Sequence, residues 1–147
     1  MSRLLAVVLV AVAGVLVGAQ PAVNARLGRA VGAVPAAAVS FTVGTIALLL
    51  IVSLSSEGFD GLANIGKAPW WAFVGGLLGA AYVTVAILTV GTLGVSALTA
   101  VVISGQLFAA VLIDRFGLLG IARQPIGATR ILGLVLLVAG VVLVVRR

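Results

Sequence analysis

The chain has 147 residues, of which 63% are hydrophobic and 8% are charged, and its formal net charge is +6. Because soluble domains carry about 25% charged residues, this composition excludes a soluble protein and indicates an integral membrane protein. The chain has no cysteine, no histidine and three acidic residues, which argues against zinc sites, the usual nucleophiles of hydrolases and most other metal sites. We therefore expect no enzyme, no metal and no cofactor.

Five apolar runs are long enough to cross a bilayer, which takes about 20 residues of helix. Runs of this length favour helices, because a transmembrane barrel shows alternating segments of about 10 residues. Nineteen glycines and few aromatic residues indicate helices that pack closely. The sequence predicts an all-α, polytopic transmembrane bundle of five helices in a single domain, residues 1–147, with spans near residues 4–25, 34–54, 69–90, 94–113 and 126–145.

The first span ends in a polar stretch, GAQPAVNARLG, over residues 18–28. Gln20 and Asn24 lie one helical turn apart on one narrow arc of the helix, and Pro21, just after Gln20, removes the backbone hydrogen bond to the carbonyl four residues earlier. Two interpretations are open. Either the helix ends near Gln20 and both amides are hydrated, or the amides line a cavity near one mouth of the bundle.

The first segment also has the charged start, apolar middle and small-residue end of a secretory signal peptide. Cleavage would leave four spans. The apolar run is longer than the core of a usual signal, and its polar end has a clearer role in a retained helix, so we favour five spans.

In the second span, Ser40 lies on a face of small residues with Ala36, Ala37, Gly44 and Ala47. Such a face is typical of close helix packing. The Ser40 hydroxyl is therefore either a contact between helices or a ligand in a cavity, and the pattern favours neither.

The third span has the clearest stripe. Gly75 and Gly79 form a GxxxG motif, which is typical of a packing seam. Tyr82 lies near mid-span, where a phenol needs a hydrogen-bond partner, so it is a candidate for a binding site. Trp71 is a second candidate, although a tryptophan at the start of a span is also a typical interfacial anchor. One side of this helix carries Trp71, Gly75, Gly79, Tyr82, Ala86 and Thr89.

Gln106 lies close to the centre of the fourth span. A carboxamide without a partner at mid-bilayer costs several kcal/mol, so this side chain must face protein or water. A polar contact between helices is the alternative to a binding site.

Asp114 and Arg130 lie where the fourth span ends and the fifth begins. Their positions predict an ion pair at the rim of the bundle, and such a pair is usually structural. Asp114 is also the only acid near a span, so proton coupling through a carboxylate would have to use it.

An odd number of spans puts the two termini on opposite sides of the membrane. The basic residues are scattered over short connections and the chain ends, which favours topology determinants over a nucleic-acid surface. The two sides of the membrane carry nearly equal numbers of basic residues, so the positive-inside rule gives little preference for one orientation. The chain could therefore insert in both orientations and pair as an antiparallel homodimer. Five basic residues lie on the N-terminal side, Arg3, Lys67, Arg115, Arg123 and Arg130, and four on the other, Arg26, Arg29, Arg146 and Arg147.

Five segments follow one another along nearly the whole chain: QPAVNARLG, AAVSFTVGTIALLL, WWAFVGGLLGAAYVT, ISGQLFAAVLIDRFGLLG and RILGLVLLVAGVVL. Together they resemble the YdcZ-type family of bacterial inner-membrane proteins, a branch of the drug/metabolite transporter superfamily. The resemblance implies a five-helix half of a ten-helix transporter that acts as an exporter, either as a dimer or with a paralogous partner. Small multidrug exporters of this superfamily use a glutamate in the first helix to exchange protons for cationic drugs, and this chain has Gln20 and Asn24 there instead.

We therefore expect a transporter of the bacterial inner membrane that exports small polar metabolites or drugs by alternating access. Its expected partners are the lipid bilayer, the small-molecule substrate, and a second copy or a paralogue. A non-transporting membrane subunit is the alternative, and a hydrolase that uses Ser104 is disfavoured because histidine and cysteine are absent. The residues expected to face a pocket near the midplane are Gln20, Asn24, Ser40, Trp71, Tyr82 and Gln106.

Overall fold

The computed structural model describes residues 1–55 and 58–146. The described residues contain no β-strand and form five α-helices: α1 (Arg3–Val31), α2 (Ala33–Leu54), α3 (Val74–Leu93), α4 (Val95–Phe116) and α5 (Ala128–Val145). Each is long and apolar enough to cross a membrane, α3 together with the 3₁₀ turn Trp70–Phe73 before it. The predicted all-α bundle of five transmembrane helices is confirmed. Arg147, counted above among the basic residues, lies outside the described residues.

The chain divides into two compact units. The first unit, Met1–Gly91, contains α1, α2 and most of α3, and the second unit, Thr92–Arg147, contains α4 and α5. In the first unit α1 packs along α2, and in the second α4 packs along α5. The longest connection, between α2 and α3, contains a second 3₁₀ segment, Asp60–Lys67.

α1 is longer than the predicted span and continues through the polar stretch. Pro21 and Asn24 are its two buried residues, and the helix ends only at Val31. The predicted end of the first span near residue 25 was therefore wrong, and of the two interpretations of the polar stretch, the one in which the helix ends near Gln20 is excluded. A proline inside a helix costs about 3 kcal/mol, but the segment after it comes close to α3, because a Cβ added at Gly28 would clash with Ile87.

A single residue, Gly32, joins α1 to α2. Its φ of 89° is in the region that favours glycine, because an L side chain is rarely accommodated there. The Gly32 N–H donates to the Gly28 carbonyl, and the Gly32 carbonyl accepts from Ala36. Pro35 falls in the first turn of α2, where its missing N–H costs nothing. The two helices therefore turn back on each other at one residue.

The ends of the other helices differ less from the predicted spans. α4 continues three residues past the predicted end, to Phe116, where Gly117 adopts a left-handed conformation and donates to the Ile113 carbonyl. α5 begins at Ala128, two residues later than predicted. These shifts leave the number and order of the spans unchanged.

Candidate functional site

An open groove lies between α1 and α2 in the first unit. Gln20 of α1 and Ser40 of α2 both line it, and its volume is about 220 Å³. The two side chains come to the same groove because the chain reverses at Gly32, which brings the end of α1 beside the start of α2. The remaining lining residues are uncharged: Phe41, Gly44, Thr45 and Leu48.

Asn24 lies one turn after Gln20 and is the only buried polar side chain among residues 1–55 and 58–146, with 6% exposure. Its amide makes no hydrogen bond to another described residue. Within the same residues, no side-chain nitrogen or oxygen is both fully enclosed and unpaired, so the Asn24 amide still reaches the surface of its unit. A largely buried amide that lacks a protein partner pays a desolvation cost. Water or a ligand is the partner that would remove this cost.

Several hydroxyl groups elsewhere in the helices are satisfied by their own helix. Five of them donate to the carbonyl four residues earlier, a local bond that needs no outside partner. None of the predicted site residues in the described chain makes a bond of this kind. The self-satisfied hydroxyls are those of Thr42, Thr45, Thr84, Thr89 and Ser104.

Trp71 and Tyr82 belong to the first unit but do not line the groove between α1 and α2. Trp71 lies in the 3₁₀ turn before α3 and is 42% exposed. Tyr82 is half-buried near the middle of α3. The structure thus brings Gln20 and Ser40 together and leaves these two aromatic residues apart from that pair.

Gln106 lies on α4 in the second unit and is exposed. Ser104, two residues earlier, lines an apolar groove of about 280 Å³ against Leu134 and Val138 of α5. The Gln106 amide is therefore not enclosed within its own unit.

Asp114 and Arg130 form an ion pair in the second unit. Arg130 Nη2 donates to Asp114 Oδ2 at 2.5 Å, and the side chains are 19% exposed for Asp114 and 36% for Arg130. The chain after α4 folds back over the same end, where the Gln124 N–H donates to the Asp114 carbonyl and Arg123 Nε donates to the Arg115 carbonyl. The pair therefore ties the end of α4 to the start of α5.

A second groove in the first unit was not predicted from the sequence. It has a volume of about 330 Å³ and is lined by the end of α1, the start of α2 and the end of α3, including Gly28, Arg29, Ala33, Ile87 and Gly91. The sequence signal that could have indicated it is a glycine, Gly28, beside an arginine in the last turn of a helix.

Comparison with known proteins places the chain in a family. A family model described as "Putative inner membrane exporter, YdcZ" matches residues 5–143, nearly the full length of the chain. No curated protein and no solved structure matches the chain. Five membrane-spanning helices agree with the inner-membrane location that this description gives. The chain therefore belongs to the YdcZ family of inner membrane exporters, within the drug/metabolite transporter superfamily, and is a multi-pass protein of the bacterial inner membrane.

Proposed function

We propose that the chain is one half of an exporter for small, polar, uncharged or zwitterionic molecules. Two copies, or one copy and a paralogue, form the transporter. Substrate binds between α1 and α2, where Gln20, Asn24 and Ser40 supply the polar contacts, and alternating access carries it across the membrane. Trp71, Tyr82 and Gln106 are assigned to the same pathway.

The observation that carries this proposal is the pairing of Gln20 and Ser40 in one groove, next to the buried Asn24. An amide and a hydroxyl at membrane depth are stabilised only if hydrogen-bonding groups meet them. The helices satisfy several other hydroxyls internally, at Thr42 for example, whereas the side chains of Gln20 and Ser40 make no such bond. A polar substrate or water fits this arrangement.

The substrate class follows from the absence of charge in the groove. All six of its lining residues are uncharged. A cation there would be desolvated without a carboxylate to pair with, and an unpaired charge at membrane depth is costly. Amide and hydroxyl groups can both donate and accept hydrogen bonds, which suits neutral or zwitterionic solutes.

A dimer completes the site in this proposal. The groove is open, and Gln106 is exposed on α4, so a second copy can supply the missing walls. The near balance of basic residues between the two sides supports an antiparallel arrangement, which reproduces the inverted repeat of many transporters.

Uptake into liposomes that contain the purified protein tests the proposal. Neutral and zwitterionic metabolites are compared with guanidinium and quaternary ammonium cations, each with and without a pH gradient. We expect transport of a neutral or zwitterionic solute. Transport of cations alone would contradict the substrate class, and no transport of any solute would favour a non-transporting subunit.

Variants of the groove make the test specific. Gln20→Leu and Ser40→Ala are expected to reduce uptake about tenfold, because loss of one substrate hydrogen bond costs on the order of 1 kcal/mol. Thr42→Val is the matched control, because the Thr42 hydroxyl donates to Ala38 of its own helix and does not line the groove. If the groove variants lose folding together with flux, the polar groups hold the helices together and do not bind substrate.

A further inference from the structure

The geometry points to a binding site for an anionic phospholipid in the groove around Arg29. In this site the lipid phosphate pairs with the Arg29 guanidinium, and its acyl chains lie along the apolar wall of α3. The site is separate from the groove that contains Gln20 and Ser40.

The charge of Arg29 lacks a counter-charge within the described part of the first unit. Arg29 lies in the last turn of α1, and Arg26 is one turn earlier. Both side chains are exposed. The ion pair found among the described residues, Asp114 with Arg130, lies in the second unit. Asp60 lies beyond the far end of α2, a helix of 22 residues, which is about 33 Å long. A ligand phosphate is therefore the natural counter-charge.

The length of α1 puts Arg29 at the level of the lipid head groups. Arg3 and Arg29 are at opposite ends of α1, and at about 1.5 Å per residue they lie about 39 Å apart. The hydrocarbon core of a bilayer is about 30 Å thick, and the head groups extend this to about 40–45 Å. If α1 spans the membrane, both arginines lie where phosphates are found.

The remaining walls match the hydrocarbon part of a lipid. Ile87, Leu88 and Val90 of α3 supply apolar surface, while Gly28 and Gly91 supply no side chain and leave the groove of about 330 Å³ open. A guanidinium binds a phosphate through two parallel hydrogen bonds. Cationic groups between transmembrane helices bind anionic head groups in this way. A soluble phosphate would make no use of the apolar wall.

Native mass spectrometry of the purified protein in a neutral detergent tests the site. The probes are phosphatidylglycerol and phosphatidylcholine with identical acyl chains, and soluble glycerol phosphate is added as a competitor. We expect stronger retention of phosphatidylglycerol, and a loss of about tenfold or more in its affinity in Arg29→Gln, because a charge-assisted hydrogen bond is removed.

Two matched pairs of variants distinguish a specific lipid site from general electrostatic attraction between the basic protein and anionic lipid. Arg146→Gln removes the same charge from the second unit and should leave binding unchanged. Gly91→Leu should block binding by filling the groove, since a Cβ at Gly91 meets nothing within 4 Å and the fold can accept it. Gly76→Leu places the same side chain elsewhere on α3, also in open space, and should bind normally.

Three results would overturn the inference. They are equal retention of the two lipids, an equal loss in Arg29→Gln and Arg146→Gln, and unchanged binding in Gly91→Leu. Displacement of the lipid by millimolar glycerol phosphate would instead indicate a site for soluble phosphate compounds, and would also contradict the lipid assignment.

Discussion

Gly28 of α1 lies directly against Ile87 of α3. A Cβ atom added at residue 28 would be 2.5 Å from Ile87 Cγ2 and 3.9 Å from the Ala36 Cβ. All three residues belong to the first unit. Because Ile87 is branched at its Cβ, its Cγ2 atom cannot move aside as the end of a long, flexible side chain could. This contact brings the end of α1 close to α3.

Replacing this glycine should destabilise the protein. Gly28→Ala is expected to lower the free energy of unfolding by about 1–3 kcal/mol, because the added methyl overpacks the contact. Unfolding in detergent micelles, followed by circular dichroism, measures the change. Gly14→Ala is the control, since a Cβ there meets nothing within 4 Å, and it should be neutral or gain up to about 1 kcal/mol from helix propensity. Ile87→Ala should partly rescue Gly28→Ala, and equal behaviour of the two glycine variants would contradict the contact.

The ion pair between Asp114 and Arg130 should appear as a coupling energy. A double-mutant cycle with Asp114→Asn and Arg130→Gln is expected to give about 1 kcal/mol, the scale of a partly exposed pair. The coupling should shrink in high salt, which screens exposed charges. The same cycle with Arg115→Gln in place of Arg130→Gln should give a value near zero, and similar values in the two cycles would exclude a specific pair.

The same aspartate tests proton coupling. If the pair is structural, Asp114→Asn should lower stability and leave the response of uptake to a pH gradient as it is in the unmodified protein. A folded Asp114→Asn variant that has lost a gradient response present in the unmodified protein would assign the coupling role to Asp114 instead. The measurement is liposome uptake with and without the gradient, alongside unfolding of the same preparation.

Gln106→Leu should separate a structural glutamine from a transport glutamine. Gln106 is exposed on α4, so the variant should change the free energy of unfolding by no more than about 0.5 kcal/mol. The rate of substrate uptake into liposomes, or the fraction of the protein that forms dimers, should fall. Ser104→Ala is the control, because the Ser104 hydroxyl donates to Ala100 in its own helix. Loss of folding in Gln106→Leu would show that the amide is a contact between helices.

The antiparallel homodimer makes a prediction about orientation. Reporter tags at each terminus should show both orientations in cells, because five basic residues lie on one side of the membrane and four on the other. Removing two of the four, with Arg26→Gln and Arg29→Gln, should fix one orientation with the N-terminal side in the cytoplasm. A single fixed orientation of the unmodified chain would contradict the homodimer and favour a paralogous partner.

The number, order and type of the helices could be predicted from the sequence, because a bilayer leaves the backbone few choices. Every N–H and C=O at membrane depth must be paired, so an apolar run of about 20 residues becomes a helix. The composition alone indicated a membrane protein, because 63% of the residues are hydrophobic and only 8% are charged. The family resemblance was also visible in the sequence, since its segments lie in one order along the chain.

Only the tertiary structure decided where α1 ends and which polar residues meet. A proline usually predicts a helix end, yet α1 continues past Pro21 to Val31, and its last turns come close to Ile87 of α3. The GxxxG motif predicted two close contacts, yet within the described residues a Cβ added at Gly79 would lie 3.1 Å from the Phe41 ring, whereas one added at Gly75 would meet no atom of another helix within 4 Å.

The physical reason is that apolar residues cover most of the surface of each helix, so the period of the sequence does not mark the inward face. The sequence by itself determined that five helices cross the membrane. Which faces touch depends on distances between backbones, and these follow from the sizes of side chains on separate helices. The groove shared by Gln20 and Ser40 and the open groove at Arg29 therefore became visible only once the helices were packed.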